Sequence, residues 1–192
     1  MERASRIELV VAASAVLISV ASFWLAWQQT EAMDAQVKAM SWPYLQLDSG
    51  NYDVASDSRV ITLSLENAGV GPTRVVWFTV THDGVPVGNF VELSRACCLS
   101  DEDDVARLDD MRGVTGDPSP ALLPAGDEQL VFRLEYEAPF ADFWERVDRA
   151  RWKLSAQACH CSILDQCWIT DFEAEPVPVE VCPEPPSADW RG

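Results

Sequence analysis

RVITLSLE (59–66), NAGVGP (67–72), TRVVWFTVTH (73–82), DG (83–84) and VPV (85–87) follow one another without a break, and their reading decides the fold. Ile61, Leu63 and Leu65 point one way and Thr62, Ser64 and Glu66 the other, the two-residue period of a half-buried strand. Asn67 to Pro72 is a turn of residues that tolerate a positive φ or preset a negative one. Thr73 to His82, with Val75, Val76, Trp77, Phe78 and Val80, is the most β-prone run in the chain. Asp83-Gly84 supplies a two-residue hairpin turn, and Val85 to Val87 the returning strand.

The same alternation continues on both sides. Tyr44, Leu45 and Leu47 predict a short strand closed by the Asp48–Asn51 turn cluster. Phe90, Leu93, Ala96 and Cys97 predict a short helix, followed by an acidic loop punctuated by glycine and proline. Ala125-Gly126-Asp127 leads into Gln129–Glu137, where Leu130, Phe132, Leu134 and Tyr136 share a face. Pro139 opens a second helix with Phe140, Phe143, Trp144 and Val147 at i, i+3, i+4 and i+7. Arg151–His160 is a strand carrying Trp152, Leu154, Ala156 and Ala158. A hairpin through Ser162–Gln166 leads to Trp168–Phe172, and Pro176–Val181 reads as an edge strand. Pro183–Gly192, polar and proline-rich, reads as a disordered tail. Short strands with turn signals between them, interrupted by one or two helices, predict a mainly β chain folded as an antiparallel β-sandwich.

The N-terminal segment differs in kind. Leu9 to Trp27 carries no charge, and at 1.5 Å per residue it makes about 28 Å of helix, close to the hydrocarbon thickness of a bilayer. Ser19-Val20-Ala21 resembles a signal-peptide cleavage site, but the apolar run continues past it through Phe23, Trp24 and Leu25, which favours an uncleaved anchor. Arg3 and Arg6 precede the span and Lys38 follows it, so the N-terminus is expected inside. The expected division is 1–6 cytoplasmic, 7–27 transmembrane, 28–41 a helical stalk, 42–182 a periplasmic β-sandwich and 183–192 the tail. In the stalk Thr30, Met33, Val37 and Met40 are spaced like the seam of a short coiled coil, so Met33, Val37, Met40 and Trp42 are the expected interaction residues.

Two stretches carry resemblances. The Asn67–Pro72 turn with its flanking strands and the Asp83-Gly84 hairpin resembles immunoglobulin-like domains of bacterial surface proteins. An N-terminal span, Trp42-Pro43-Tyr44-Leu45-Gln46, the glycine turn, Leu123-Pro124-Ala125-Gly126 and Cys159-His160-Cys161-Ser162 to Cys167-Trp168 occur here in order. That arrangement is similar to a group of single-span envelope proteins of Gram-negative bacteria with a Cys-aromatic-Cys-Ser element ending in Cys-Trp. Here His160 takes the aromatic position, and Cys97, Cys98 and Cys182 are additional. The resemblance implies an inner-membrane location with the domain in the periplasm, and it brings no activity with it.

Charge and composition narrow the chemistry. The 192 residues hold 31 acidic and 14 basic side chains, a formal net charge of -17. Such an excess repels phosphate backbones and excludes nucleic acid as a partner. The six cysteines suit an oxidising compartment. Cys159 or Cys161 is expected to pair with Cys167, and the other with Cys182. Cys97 and Cys98 are each expected to reach a separate partner, because a bond between neighbours is unusual. Strand alternation turns His160 away from Cys159 and Cys161, and C-x-C is not the spacing of structural zinc sites. No metal or cofactor is therefore expected. Asp101–Asp104 lacks the offsets of a calcium loop and reads as solvated. His82 and His160 are the two imidazoles, and no G-x-S-x-G, P-loop or H-E-x-x-H string occurs. Trp77, Trp144, Trp152 and Trp168 read as core; Trp42 and Trp190 read as exposed anchors for a partner, with simple packing or disorder as the alternatives.

The expected function is that of a non-enzymatic, membrane-anchored scaffold for another envelope protein, able to self-associate through the stalk. The alternative is a thiol-redox or metal-handling protein using Cys159, Cys161, Cys167 and His160. A glycan-binding module is a weaker third reading.

Overall fold

A computed structural model describes residues 2–99 and 107–192. The chain divides into two units, Met1–Met40 and Ser41–Gly192.

The first unit is one helix, α1 (Glu2–Met40). It is long and apolar enough to cross a membrane, and none of that stretch is buried in protein. The hydroxyls of Ser14, Ser19 and Thr30 donate to carbonyls one turn back, so the helix carries them without unpaired donors. The expected stalk is helical as far as Met40.

The second unit contains ten strands among the described residues: β1 (Leu45–Gly50), β2 (Val60–Asn67), β3 (Thr73–His82), β4 (Val85–Val87), β5 (Gly113–Thr115), β6 (Ala121–Leu123), β7 (Glu128–Glu135), β8 (Leu154–Ser162), β9 (Cys167–Thr170) and β10 (Val177–Val179). They form two antiparallel sheets, ordered β1-β2-β7-β5 and β10-β9-β8-β3-β4, with β6 also on β3. Ile61, Leu63, Phe132 and Leu134 from one sheet meet Val75, Phe78, Val80 and Ala158 from the other in a single apolar core. Asp83 (φ 50) and Gly84 (φ 79) close the β3–β4 hairpin as expected. β1 runs through Asp48 to Gly50, so the expected turn begins at Asn51, because Asp48–Gly50 pair with Thr62–Ser64.

Two bulges correct the simple alternation. In β7, Leu63 faces Phe132 and Ser64 faces Leu130, which leaves Val131 as an extra residue and buries it beside Phe132. Ser64, expected to face solvent, is fully covered. In β3, Val75 faces His160 and Trp77 faces Cys159, leaving Val76 unpaired. The parity therefore switches: Val75, Phe78 and Val80 join the core, while Trp77 lies on the outer face with Cys159.

The glycine-rich turn is held by one side chain. Asn67 is fully buried; its Nδ2 donates to the carbonyls of Gly71, Leu123 and Pro124 at 2.9, 3.1 and 3.1 Å. Its Oδ1 accepts from the amides of Tyr44 and Gly69 at 3.2 and 3.1 Å. A Cβ on Gly69 would sit 2.3 Å from the Tyr44 amide nitrogen, and one on Gly71 equally close to the Ser41 carbonyl. Glycine is required because residues 41–44 lie directly across the turn.

Helix α2 (Phe90–Cys97) is capped by Asn89, whose Oδ1 accepts from the Glu92 amide at 2.8 Å. Helix α3 (Ala141–Ala150) follows a 3-10 turn at Ala138–Phe140 and buries Phe143, Trp144, Val147 and Ala150. Trp152 does not join the core. Arg151–Lys153 form a 3-10 turn ahead of β8, which breaks the alternation and leaves the indole 77% exposed under the Arg151 guanidinium.

Residues 183–192 correct the sequence expectation most sharply. On the edge away from β8, β6 pairs with Thr73–Val75 and β4 with Val80–His82, so Phe78 has no strand partner there. The tail fills the gap. Asp189 Oδ1 accepts from the Phe78 amide at 2.7 Å, and the Trp190 amide donates to the Phe78 carbonyl at 2.8 Å. The Trp190 side chain enters the core, 0% exposed, and stacks on Phe132. Arg191 continues the strap, donating from its amide to Gly88 and from its guanidinium to the Ser119 carbonyl.

Candidate functional site: the cysteine hairpin

β8 and β9 form a hairpin whose last pair, Cys161 opposite Cys167, is bridged by a disulfide. Cys159, two residues earlier on the same outer face, is bonded to Cys182. Both pairings lie within the sequence expectation, and the geometry selects Cys161 as the partner of Cys167. Trp77 shares this face and donates from Nε1 to the Pro183 carbonyl at 2.8 Å, so the segment after Cys182 covers the hairpin. Cys161 Sγ and Cys182 Sγ, members of different bonds, lie 3.8 Å apart. With Cys167 they form a group of three sulfurs within 4.8 Å.

His160 points the other way, as alternation requires. It pairs with Val75 on the core side, is stacked on Trp168 and exchanges a hydrogen bond with Thr73 Oγ1 through Nδ1 at 3.0 Å. Its Nε2 is buried without a partner. Burial pulls its pKa down to about 4, so the ring is neutral at pH 7. Trp168 is half-buried, short of the core position expected for it.

Cys97 and Cys98 overturn the expectation that each reaches a separate partner: they are bonded to one another. They close α2, far in sequence from the hairpin, and both hairpin disulfides are already complete without them. Every cysteine is thus paired. Asp101–Asp104 lies outside the described residues. Met33, Val37 and Met40 are exposed along α1, and Trp42 is half-exposed at the start of the second unit, tilted against Tyr44.

Sequence reading missed two features. Asn67 as a five-bond hub was signalled by the N-x-G-x-G-P string without its partners being named. Arg146, Arg149 and Lys153, at i, i+3 and i+7, gather with His82 and Cys97 around one pocket; the helical spacing was visible, but what faced it was not. No family model, curated protein or solved structure matches this chain.

Proposed function

We propose that the protein is anchored by α1 in the bacterial inner membrane, with its immunoglobulin-like β-sandwich in the periplasm, and that it serves as a binding or scaffolding module for another envelope protein. The pairing of all six cysteines carries this reading. A reducing cytoplasm would not keep such bonds, and a scaffold uses the Cys159–Cys182 and Cys161–Cys167 bonds as staples. The apolar helix supports the anchor. Met33, Val37, Met40 and Trp42 are the residues through which a partner or a second copy would engage it. The reading assigns no catalysis.

The 3.8 Å contact between Cys161 Sγ and Cys182 Sγ favours a second reading, in which reduction of the hairpin would expose a thiol group for exchange or metal binding. One experiment separates the two. The full chain is extracted without reductant, alkylated before and after reduction, weighed intact and assayed for metal. A photocrosslinker at Val37 and at Trp42 reports partners in the same cells. Six protected cysteines, no metal and a discrete crosslinked species support the scaffold. Free thiols or stoichiometric metal at Cys159–Cys167 would make the hairpin the active element, and protease resistance of the domain in spheroplasts, lost only on their lysis, would reverse the orientation.

A further inference from the structure

A disulfide stabilises by shortening the loops open to the unfolded chain, and a bond between adjacent residues encloses no intervening residue. Cys159–Cys182 and Cys161–Cys167 are staples by that measure, with sequence separations of 23 and 6; Cys97–Cys98, with a separation of 1, is not. Its surroundings are equally different. Cys97 is half-buried and lines an open pocket of about 480 Å³ with His82, Arg146, Arg149 and Lys153. Basic groups are the minority in this chain, 14 against 31 acidic ones. Among the described residues the acid lining the pocket is Asp83, tied to Lys153 at 2.7 Å. Arg146 donates from Nε to the Cys98 carbonyl at 2.8 Å, which holds its guanidinium beside the disulfide. His82 is 7% exposed, with its Nε2 unpartnered. The carboxyl ends of α2 and α3 meet here, and their dipoles account for one or two cations. They leave unexplained a cluster of this size around an accessible sulfur.

We infer that Cys97–Cys98 is an exchangeable disulfide whose cationic pocket selects small anionic thiols. The step is a two-electron exchange. A thiolate attacks Cys97 Sγ, the accessible sulfur; the bond from the incoming sulfur to Cys97 forms and the Cys97–Cys98 bond breaks. The electron pair leaves on Cys98 Sγ, which takes a proton from water. A second thiolate attacks the incoming sulfur, releasing the disulfide of the small thiol and the Cys97 thiolate, which is protonated in turn. Two small thiols are oxidised for one disulfide reduced. Nearby cations speed both attacks, because they concentrate the anionic reagent and stabilise the leaving thiolate. The inference does not depend on the scaffold reading.

The test uses the full chain in a non-ionic detergent at low ionic strength. Two thiols of similar size and opposite charge, 2-mercaptoethanesulfonate and 2-aminoethanethiol, are compared at equal thiolate concentration. Opening of each disulfide is followed by alkylation and peptide mass mapping. The expected result is that Cys97–Cys98 opens at least tenfold faster than either hairpin bond, and about tenfold faster with the sulfonate than with the amine. Arg149→Glu should reduce that charge preference at least fivefold while leaving the hairpin bonds as slow as before. Should Arg149→Glu not fold, Arg149→Gln and a salt titration of the unaltered chain read the same preference. Equal opening of all three bonds, or a charge preference untouched by substitution and salt, overturns the inference.

Discussion

Trp190→Ala tests the strap that closes the edge of β3. The indole is 0% exposed and stacks on Phe132 with ring centroids 6.1 Å apart. Burying an aromatic side chain removes about 150–250 Å² from water, which at about 25 cal/mol per Å² is about 4–6 kcal/mol. Aromatic-to-alanine truncations in cores cost about 3–5 kcal/mol because the cavity partly relaxes. Release of the strap adds little, since water can then reach the Phe78 amide and carbonyl. With a loss of about 4 kcal/mol and about 2–4 °C per kcal/mol for a unit of this length, the melting temperature should fall by about 8–16 °C. Near-ultraviolet circular dichroism of the detergent-solubilised chain during thermal unfolding measures this, and limited proteolysis should cut the variant within residues 183–192. Trp152→Ala is the control: its indole is exposed, so its effect should stay within about 0.5 kcal/mol. If the two variants were equally stable and the tail equally resistant, the strap would not be part of the core.

Asn67→Asp should destabilise by about 3 kcal/mol or more, because a carboxylate would face the three carbonyls that Nδ2 now serves; urea midpoints read the loss, and an unchanged midpoint would dismiss the hub. His160 has a folded pKa near 4 against 6.5 when exposed. The unfolded chain therefore binds a proton that the folded chain refuses, and stability present above pH 6.5 falls as the pH drops toward 4, by up to about 3 kcal/mol. His160→Phe should flatten that slope between pH 7 and 4.5, and an identical slope in the variant would assign it to other groups. Removing both sulfurs of a disulfide should cost about 3 kcal/mol at Cys159–Cys182, about 2 kcal/mol at Cys161–Cys167 and under about 1 kcal/mol at Cys97–Cys98. A different ranking of the denaturation midpoints would mean that loop closure is not what these bonds contribute.

What could be read from the sequence was local. The β2–β3 arch, the Asp83-Gly84 hairpin, both helices and the hairpin at Ser162–Gln166 each depend on a side-chain period or a turn residue within a few positions. The two bulges could not be read that way, because an extra residue is defined only by its partner strand: Val76 and Val131 look like ordinary strand residues until β8 and β2 lie beside them. Trp152 was misplaced for a related reason, since the 3-10 turn that exposes it completes the helix before it and owes nothing to the strand after it. The cysteine hairpin was legible down to two pairings, and pairing across register chose between them. Cys97–Cys98 is not legible in the sequence, which carries the geometric cost of a neighbouring bond but not the distance to every other sulfur.

Trp190 shows why composition misleads at the end of a chain. Pro183–Gly192 is polar and rich in proline, and a segment so composed cannot bury enough surface to order itself. It need not do so alone. Cys182 is bonded to β8, and Pro183 accepts from Trp77, so the tail begins from a fixed point on the outer face of the six-stranded sheet. From there a few residues reach the stretch of β3 that neither β4 nor β6 covers, where two backbone groups need partners and the core has room for an indole. Asp189 and Trp190 meet both needs at once. Fixing Cys182 spares the loop-closure cost of bringing the tail to the sheet, while the backbone freedom of the docked residues is still lost. The disulfide and the buried indole therefore act on the same strap, and a polar decapeptide can complete an apolar core.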